Sequence, residues 1–295
     1  MTPRTGSRLV RRTTLGAIST VIASLAMMLG MSSPAAAAPD ARGNGASGRA
    51  STQSPSADEI KPGEAYMGVG VRAHEPGNQN ANPITPMATV EGVDVSSHQG
   101  NVAWSTLWGN GVRFAYVKAT EGTGYTNPYF AQQYNGSYNV GMIRGAYHFA
   151  LPNRSSGATQ ANYFVDHGGG WSKDGKTLPG ALDIEYNPYG STCYGLSQSA
   201  MRSWITSFIN QYKARTGRYA SIYTTTNWWT QCTGNYGGYA SNNPLWIARY
   251  ASSPGTLPAG WGFYTFWQYT SSGAVVGDHN KFNGDMTRLK VLATG

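Results

Sequence analysis

An alternation of strand-like and helix-like segments, beginning near residue 90, is the feature that most constrains the fold of this chain. Seven runs rich in β-branched and aromatic residues recur there: VEGVDVSSH, VRFAYVKAT, GMIRGAYHFA, PGALDIEYN, YASIYTTTN, PLWIARYA and FYTFWQYT. Helical patterns separate the second to fifth of these runs. Strands that alternate with helices usually pair in parallel, with each helix crossing over a face of the sheet. The pattern therefore predicts an α/β domain built on a parallel sheet.

The clearest helical pattern lies between the fourth and fifth runs, in SQSAMRSWITSFINQYKARTG. Ser197 can cap its start and Gly217 can end it. Its apolar residues repeat at intervals of three and four, and they are Met201, Trp204, Ile205, Phe208, Ile209 and Tyr212. The spacing predicts one long amphipathic helix packed against the sheet.

The segments after residue 225 are too short and too rich in Gly, Ser, Asn and Pro for full helices. A regular eight-helix barrel usually needs about 250 residues, which this domain lacks. We therefore expect an irregular (β/α) barrel, a modified TIM barrel with eight strands and fewer than eight helices. A weak eighth strand is expected near GAVVGDHN. An open doubly wound sheet is the alternative.

The first 90 residues differ in composition from the rest and divide into two regions. Residues 1–38 have a basic start without acids, an apolar run and a run of alanines, which is typical of a secretory signal. Arg11 and Arg12 favour the twin-arginine route, and an ordinary Sec signal also fits. An uncleaved anchor is less favoured, because the apolar run is short for a span of about 20 residues. Residues 39–90 carry no hydrophobic period and indicate a flexible linker or pro-segment.

Residues 91–295 form the expected folded domain. We expect it to be secreted and extracellular, without membrane contact once the signal is cleaved. The chain has a net charge of +8, which would draw it toward polyanionic surfaces such as a bacterial wall. The domain has no cluster of Lys and Arg, so we expect no nucleic-acid partner. Its two cysteines, Cys193 and Cys232, are expected to form a disulfide that stabilises the fold by at most about 4 kcal/mol.

Four carboxylates lie at or near the ends of predicted strands. Asp94 ends the first run, Asp183 and Glu185 end the fourth, and Asp278 lies in the weak final run. The period of two in a strand puts Asp183 and Glu185 on one face and Ile184 on the other, toward the core. Because chemistry in barrels gathers at the C-terminal strand ends, we expect the four carboxylates to converge at the barrel mouth.

Converging carboxylates cannot all ionise cheaply, so at least one should have a raised pKa. A protonated acid beside ionised ones is the arrangement that glycoside hydrolysis needs. Taken singly, each acid could instead cap a turn or pair with a basic residue, and together they could attract Ca²⁺ or Mg²⁺. The five histidines form no HxxxH or HxH motif, and GxSxG is absent. We expect no metal and no cofactor.

Aromatic and polar residues on the strand runs are candidates for sugar binding. Flat rings match the apolar faces of pyranose rings, and amide or ammonium groups can bond to hydroxyls, although most strand aromatics belong to the core. The candidates are Tyr147, Lys118, Tyr223, Trp246, Trp267 and Gln268.

Several separated motifs resemble one family in its own order, the glycoside hydrolase family 25 lysozymes, which are β-1,4-N-acetylmuramidases. The motifs are GVDVSSHQGNVAW, FAYVKATEGTGYTNPYF, GAYHFA, GALDIEYN and FWQYTSSG, and the resemblance runs from about Val90 to the C-terminus. It implies an eight-stranded barrel with too few helices. It also implies cleavage between N-acetylmuramic acid and N-acetylglucosamine in peptidoglycan.

Site residues follow from the same resemblance. It implies that Glu185 is the general acid, Asp183 its companion, and Asp94 the acid of the first strand. The family's late strand usually reads like VDLN, whereas this chain has GDHN, so Asp278 keeps the acid while its neighbours differ. Asp285 is the lower-ranked alternative to Asp278.

The sequence thus predicts a secreted lysozyme that acts as a monomer on peptidoglycan glycan strands. Two alternatives remain. A chitinase-like hydrolase also uses a DxE pair, although Gly-Ala stands here where further aspartates would be expected. A wall-binding barrel would hold sugars without cleaving them.

Overall fold

The computed structural model describes residues 60–75 and 88–295, which belong to one compact unit, Gly48–Gly295. The signal predicted for residues 1–38 lies outside the described residues, as does much of the region predicted as linker or pro-segment. Within the described ranges, no helix is long and apolar enough to cross a membrane.

Eight strands close into a barrel, and a ninth short strand lies beside it. The strands are β1 (Thr89–Val95), β2 (Phe114–Glu121), β3 (Tyr125–Thr126), β4 (Ile143–Phe149), β5 (Ala181–Asp183), β6 (Ser221–Thr224), β7 (Leu245–Ala248), β8 (Phe266–Thr270) and β9 (Asp278–Asn283). Their order is β1-β9-β8-β7-β6-β5-β4-β2-β3, and β1 also pairs with β2, which closes the ring. The irregular (β/α) barrel expected from the sequence is confirmed.

The last strand differs from the prediction in position and direction. The weak strand expected near GAVVGDHN begins where that run nearly ends, at Asp278, and continues to Asn283. It pairs antiparallel with both β8 and β1, whereas the other barrel pairs are parallel. An antiparallel strand presents its N-terminal end where its neighbours present their C-terminal ends. Asp278 therefore lies at the barrel mouth as the first residue of β9.

Seven helices accompany the barrel in the described ranges. They are α1 (Val71–His74), α2 (Trp104–Gly109), α3 (Phe130–Asn139), α4 (Gly157–Phe164), α5 (Gln198–Thr216), α6 (Thr226–Thr233) and α7 (Met286–Thr294). Helix α5 is the predicted amphipathic helix: the Ser197 hydroxyl accepts a hydrogen bond from the Ala200 N–H, and Gly217 ends the helix in the left-handed region. Helices α6 and α7, of eight and nine residues, are the reduced late helices.

Two apolar layers hold the barrel together. Large side chains such as Tyr116, Trp246 and Phe266 fill its interior, and a second layer lies between the strands and the helices. Ile184 belongs to this outer layer and is fully buried, as the strand period predicted. A disulfide joins Cys193, in the loop after β5, to Cys232 of α6, with Cα atoms 5.4 Å apart. The predicted pairing is present in the structure.

Candidate active site

Four carboxylates meet at the barrel mouth, two from the adjacent strands β1 and β9 and two from the end of β5 across the ring. Asp94 lies near the end of β1, Asp183 ends β5, Glu185 follows it by two residues, and Asp278 begins β9. Asp94 and Asp278 are directly paired in the β1–β9 ladder. At most 4% of any of these side chains is exposed. The structure thus brings together the acids that the sequence singled out.

Gln268 of β8 links two of the acids through one amide group. Its Nε2 donates to Asp94 Oδ2 at 3.0 Å and to Asp278 Oδ2 at 3.3 Å. Its Oε1 accepts from the hydroxyls of Tyr223 at 2.6 Å and Tyr250 at 3.1 Å. The amide therefore holds the acids on one side and two phenols on the other in a fixed arrangement.

Sequence reasoning missed two members of this network, Tyr250 and Asn280. Asn280 Nδ2 donates to Asp94 Oδ2 at 2.6 Å, and the Tyr250 hydroxyl lies 3.4 Å from Asp278 Oδ2. Asn280 stands two positions after Asp278, so a period-two reading of GDHN would have placed both on one face. Tyr250 follows β7, and no motif marked it.

Burial raises the pKa of the central acids. It raises the pKa of Asp94 to about 7, although the hydrogen bonds from Asn280 and Gln268 favour the ionised form. Burial also raises the pKa of Glu185 to about 8, against the effect of two backbone N–H donors, Gly68 and Gly70. One or more of these carboxyls can therefore carry a proton near neutral pH, as a general acid must.

Asp183 depends on Glu185 for a partner. Burial, followed by the adjacent charge of Glu185, raises the pKa of Asp183 well above its ordinary value. Within the part of the chain that the structure describes, no nitrogen or hydroxyl group donates to either carboxyl oxygen of Asp183. A proton held between the two carboxyls is the remaining way to compensate their burial.

Four of the six sugar-binding candidates also reach the mouth. Tyr223 and Gln268 belong to the network above. The Tyr147 hydroxyl accepts from the Met67 N–H at 3.4 Å. Lys118 is fully buried and pairs with Glu121, its Nζ lying 2.7 Å from Oε2. These side chains surround the acids with hydrogen-bonding groups.

The two tryptophan candidates do not reach the mouth. Trp246 is fully buried in the barrel interior, its ring 4.6 Å from that of Tyr116, and its Nε1 donates to Asn280 Oδ1. Trp267 is turned to the outer layer, where its Nε1 donates to the Arg249 carbonyl at 2.9 Å. Strand alternation explains the second case, because Phe266 and Gln268 occupy the inward positions of β8.

Asp285, the alternative to Asp278, lies beyond the far end of β9. Its side chain caps α7 by accepting from the Arg288 N–H at 2.9 Å. Because β9 runs away from the mouth, this places Asp285 at the opposite end of the barrel. In the described ranges, no group of three or more His, Cys, Asp or Glu side chains is arranged to hold a metal ion.

Comparison with known proteins agrees with this geometry. The sequence model of the family described as glycosyl hydrolases family 25 matches residues 93–278. Lysozyme M1 of Streptomyces globisporus is 50% identical over 249 residues, covering 81% of this chain and 84% of that protein. The N,O-diacetylmuramidase of Chalaropsis sp is 50% identical over 211 residues, covering 70% of this chain and 100% of that protein.

A solved structure supports the same grouping. The muramidase from Acremonium alcalophilum is 60% identical, covers 70% of this chain and 99% of its own, and matches with a TM-score of 0.69. Asp94, Asp183, Glu185 and Asp278 all lie within the residues that the family model matches. The chain therefore belongs to glycosyl hydrolase family 25 and is a glycoside hydrolase of the lysozyme type.

Proposed function

We propose that this enzyme hydrolyses the β-1,4 bond between N-acetylmuramic acid and N-acetylglucosamine in bacterial peptidoglycan, with Glu185 as the general acid. The observation that carries the proposal is the placement of Glu185. It lies at the barrel mouth together with Asp183, Asp94 and Asp278, so that a proton donor and neighbouring negative charges face the same space, as glycoside hydrolysis requires. The names lysozyme and N,O-diacetylmuramidase of its relatives support this substrate.

The carboxylates have unequal roles in the proposed reaction. Glu185 donates its proton to the glycosidic oxygen as the bond to the anomeric carbon breaks. The negative charge of Asp183, with Asp94 or Asp278, stabilises the oxocarbenium-like transition state or orients the acetamido group of the sugar. Water then adds to the anomeric carbon and returns a proton to Glu185, which restores the starting state.

Tyr147, Tyr223, Gln268 and Lys118 supply the hydroxyl, amide and ammonium groups that would hold the sugar beside these acids. Residues 91–295 have fourteen Lys and Arg against nine Asp and Glu, and this net charge of +5 favours approach to an anionic wall. Together with the predicted signal, these features support export and action on glycan strands outside the cell.

Replacing Glu185 by glutamine tests the assignment. The substitution preserves size but removes the proton donor, so the rate of peptidoglycan cleavage should fall by at least about 100-fold. Glu91→Gln is the matched control, since Glu91 is 41% exposed and pairs with Lys281 away from the mouth.

The product identifies the bond. Mass spectrometry of fragments from defined peptidoglycan should find N-acetylmuramic acid at the new reducing ends. N-acetylglucosamine at those ends would contradict the muramidase assignment, and normal cleavage by Glu185→Gln would remove Glu185 from its role.

A further inference from the structure

The barrel mouth is occupied by an upstream part of the same chain. Residues 60–75, here called the N-terminal segment, precede the first barrel strand and cross the site of the four carboxylates. Ala65, Met67, Val69 and Val71 of this segment are at most 3% exposed. Met67 and Val71 join the apolar cluster of the barrel interior. The segment is therefore packed like a part of the core, unlike a flexible linker.

The centre of the segment binds the proposed catalytic acid through its backbone. The Gly68 N–H donates to Glu185 Oε1 at 2.5 Å, and the Gly70 N–H donates to Oε2 at 3.1 Å. Met67, the residue before Gly68, bonds to two of the proposed sugar-binding residues. Its carbonyl accepts from Gln268 Nε2 at 3.2 Å, and its N–H donates to the Tyr147 hydroxyl. The segment thus engages the groups proposed to bind and cleave the sugar.

The start of the segment is anchored by a buried ion pair. Lys118 Nζ donates to the carbonyls of Gly63, at 3.2 Å, and Ala65. Its partner Glu121 accepts from the Gly63 N–H at 3.0 Å. Each charged group of this pair therefore forms hydrogen bonds with the segment backbone, and Glu121 also accepts from the Tyr189 hydroxyl at 2.7 Å.

The end of the segment is anchored on the other side of the mouth. Glu75 accepts from the Tyr186 hydroxyl at 2.9 Å and from Asn227 Nδ2 at 2.6 Å. Arg72 Nε donates to the Ser271 hydroxyl at 2.7 Å. The segment thereby joins the loops after β5 and β8 and the first turn of α6 across the site.

Two glycines allow the close approach to Glu185. A Cβ at position 68 would lie 2.5 Å from the Tyr250 hydroxyl and 2.6 Å from Gln268 Oε1, and the φ of Gly68 is +91°. A Cβ at position 70 would lie 2.5 Å from the Cβ of Tyr186. The contact is fitted to these residues, because any larger side chain would force the backbone away from the acid.

Open recesses remain on both sides of the filled centre. One, of about 460 Å³, is lined by Pro62 and Gly63 together with Glu121, Tyr125 and Tyr189. The other, of about 280 Å³, lies beside Glu75 and Asn227. The segment therefore fills the middle of the mouth, where the acids lie, and these two recesses lie beside its ends.

We infer that the N-terminal segment is an autoinhibitory pro-segment, which keeps the enzyme at a low basal activity until it is displaced or removed by proteolysis. The inference rests on the proposed role of Glu185. A glycosidic oxygen must come within hydrogen-bond distance of this carboxyl to receive its proton. Both carboxyl oxygens already accept backbone N–H groups, which stabilise the ionised form and occupy the position of the leaving oxygen.

The two relatives named above match different lengths of this chain. The match to Lysozyme M1 covers 81% of this chain, more than the barrel alone occupies, so it reaches upstream of Thr89. The match to the N,O-diacetylmuramidase covers 70% of this chain and all of that protein. The whole of that protein is therefore matched by a stretch of this chain about as long as the barrel, residues 89–295.

Covalent attachment makes the inhibition effective. A segment tethered to the barrel is present at an effective concentration on the order of millimolar, which a dilute wall polymer cannot match. Release then requires cutting the chain or weakening the fit of the segment. Substitution at the two glycines weakens this fit without altering the barrel.

The test compares full-length chains with an added side chain in the segment. Gly68→Val and Gly70→Val should cleave peptidoglycan at least about tenfold faster than the unmodified chain, because their hydrogen bonds to Glu185 are strained or lost. Gly262→Val is the matched control, since a Cβ there meets nothing within 4 Å, and its rate should equal that of the unmodified chain. Thermal melting establishes that each variant is folded.

A peptide of residues 60–75 provides a second measurement. Added to Gly68→Val, it should lower the rate toward that of the unmodified chain, whereas a scrambled peptide should not. Equal rates for the unmodified chain and both glycine variants, with no effect of the peptide, would overturn the autoinhibition and leave the muramidase function standing.

A third variant separates the two proposals. Gly68→Val combined with Glu185→Gln should lose the released activity. If this double variant cleaves as fast as Gly68→Val, or if no chain cleaves peptidoglycan at all, the proposed function fails and the autoinhibition fails with it.

Discussion

Replacing Asp94 by asparagine should flatten the pH dependence of the stability of this protein. Asp94 is 4% exposed and accepts hydrogen bonds from Asn280 and Gln268. Burial raises its pKa from 3.8 to about 7. Asparagine has nearly the same shape and retains one oxygen acceptor for these donors, but it cannot ionise.

The size of the change in unfolding free energy follows from the proton that Asp94 keeps in the folded protein. Between about pH 4 and about pH 7 the unfolded chain has lost this proton while the folded protein keeps it. The free energy of unfolding is therefore largest below the unfolded pKa and falls as pH rises through the folded pKa, by about 1.4 kcal/mol per pH unit. From about pH 5 to about pH 7, Asp94 alone accounts for a loss of about 2 kcal/mol, because the slope falls as the folded carboxyl begins to titrate.

Glu185 and Asp183 act in the same direction, because burial raises the pKa of both. The unmodified protein should therefore lose stability with rising pH even more steeply than Asp94 alone requires. Asp94→Asn should remove about 2 kcal/mol of this loss and leave the rest.

Urea unfolding followed by tryptophan fluorescence, at several values between about pH 5 and about pH 7, gives the required free energies. If the free energies of Asp94→Asn and of the unmodified protein fall in parallel, Asp94 does not carry the buried proton and the reasoning is refuted.

Two further pairs of substitutions test the packing and the site. Gly157→Ala should destabilise the fold by about 1–3 kcal/mol, because its Cβ would lie 2.2 Å from the Trp204 carbonyl oxygen, whereas Gly170→Ala enters open space and should not lower the melting temperature. Equal melting temperatures would contradict this close approach of α4 and α5. Asp278→Asn should slow peptidoglycan cleavage at least about tenfold, whereas Asp285→Ala should cost only about 1 kcal/mol of stability through the lost helix cap. A larger loss of rate in Asp285→Ala than in Asp278→Asn would reverse the two assignments.

Local patterns in the sequence were sufficient for much of the fold. The seven strand-like runs all contain strands, and α5 begins and ends at the predicted cap residues, Ser197 and Gly217. These features depend on side-chain periodicity and on the conformational preferences of single residues, which act between near neighbours in the chain. The parallel pairing then placed Asp94 and Asp183 at one edge of the sheet without further information.

The direction of the last strand depended on pairing between distant residues. GAVVGDHN is short and only weakly strand-like. Its residues do not indicate whether β9 runs parallel or antiparallel to β8. Pairing of Asp278 with Asp94, distant in sequence, determines that direction. For the same reason Asn280 was not recognised as a partner of Asp94.

The sequence also did not determine whether the tryptophan side chains point into the barrel or toward the outer layer. In FWQYT, both faces of the strand carry apolar residues, since one lines the barrel and the other packs against the outer layer. Without a polar face there is no period of two to read. Only the closed barrel shows that Gln268 points inward and Trp267 outward.

The sequence by itself determined the α/β class, the long helix, the disulfide pair and the acids from which the site is built, because each depends on residue type and local spacing. The tertiary structure alone decided how β9 closes the ring and what covers Glu185. The N-terminal segment reaches the acid with the backbone N–H groups of Gly68 and Gly70. Backbone donors are common to nearly every residue, and glycine adds no side chain, so no pattern of residue types could reveal this contact before the fold brought the two parts of the chain together.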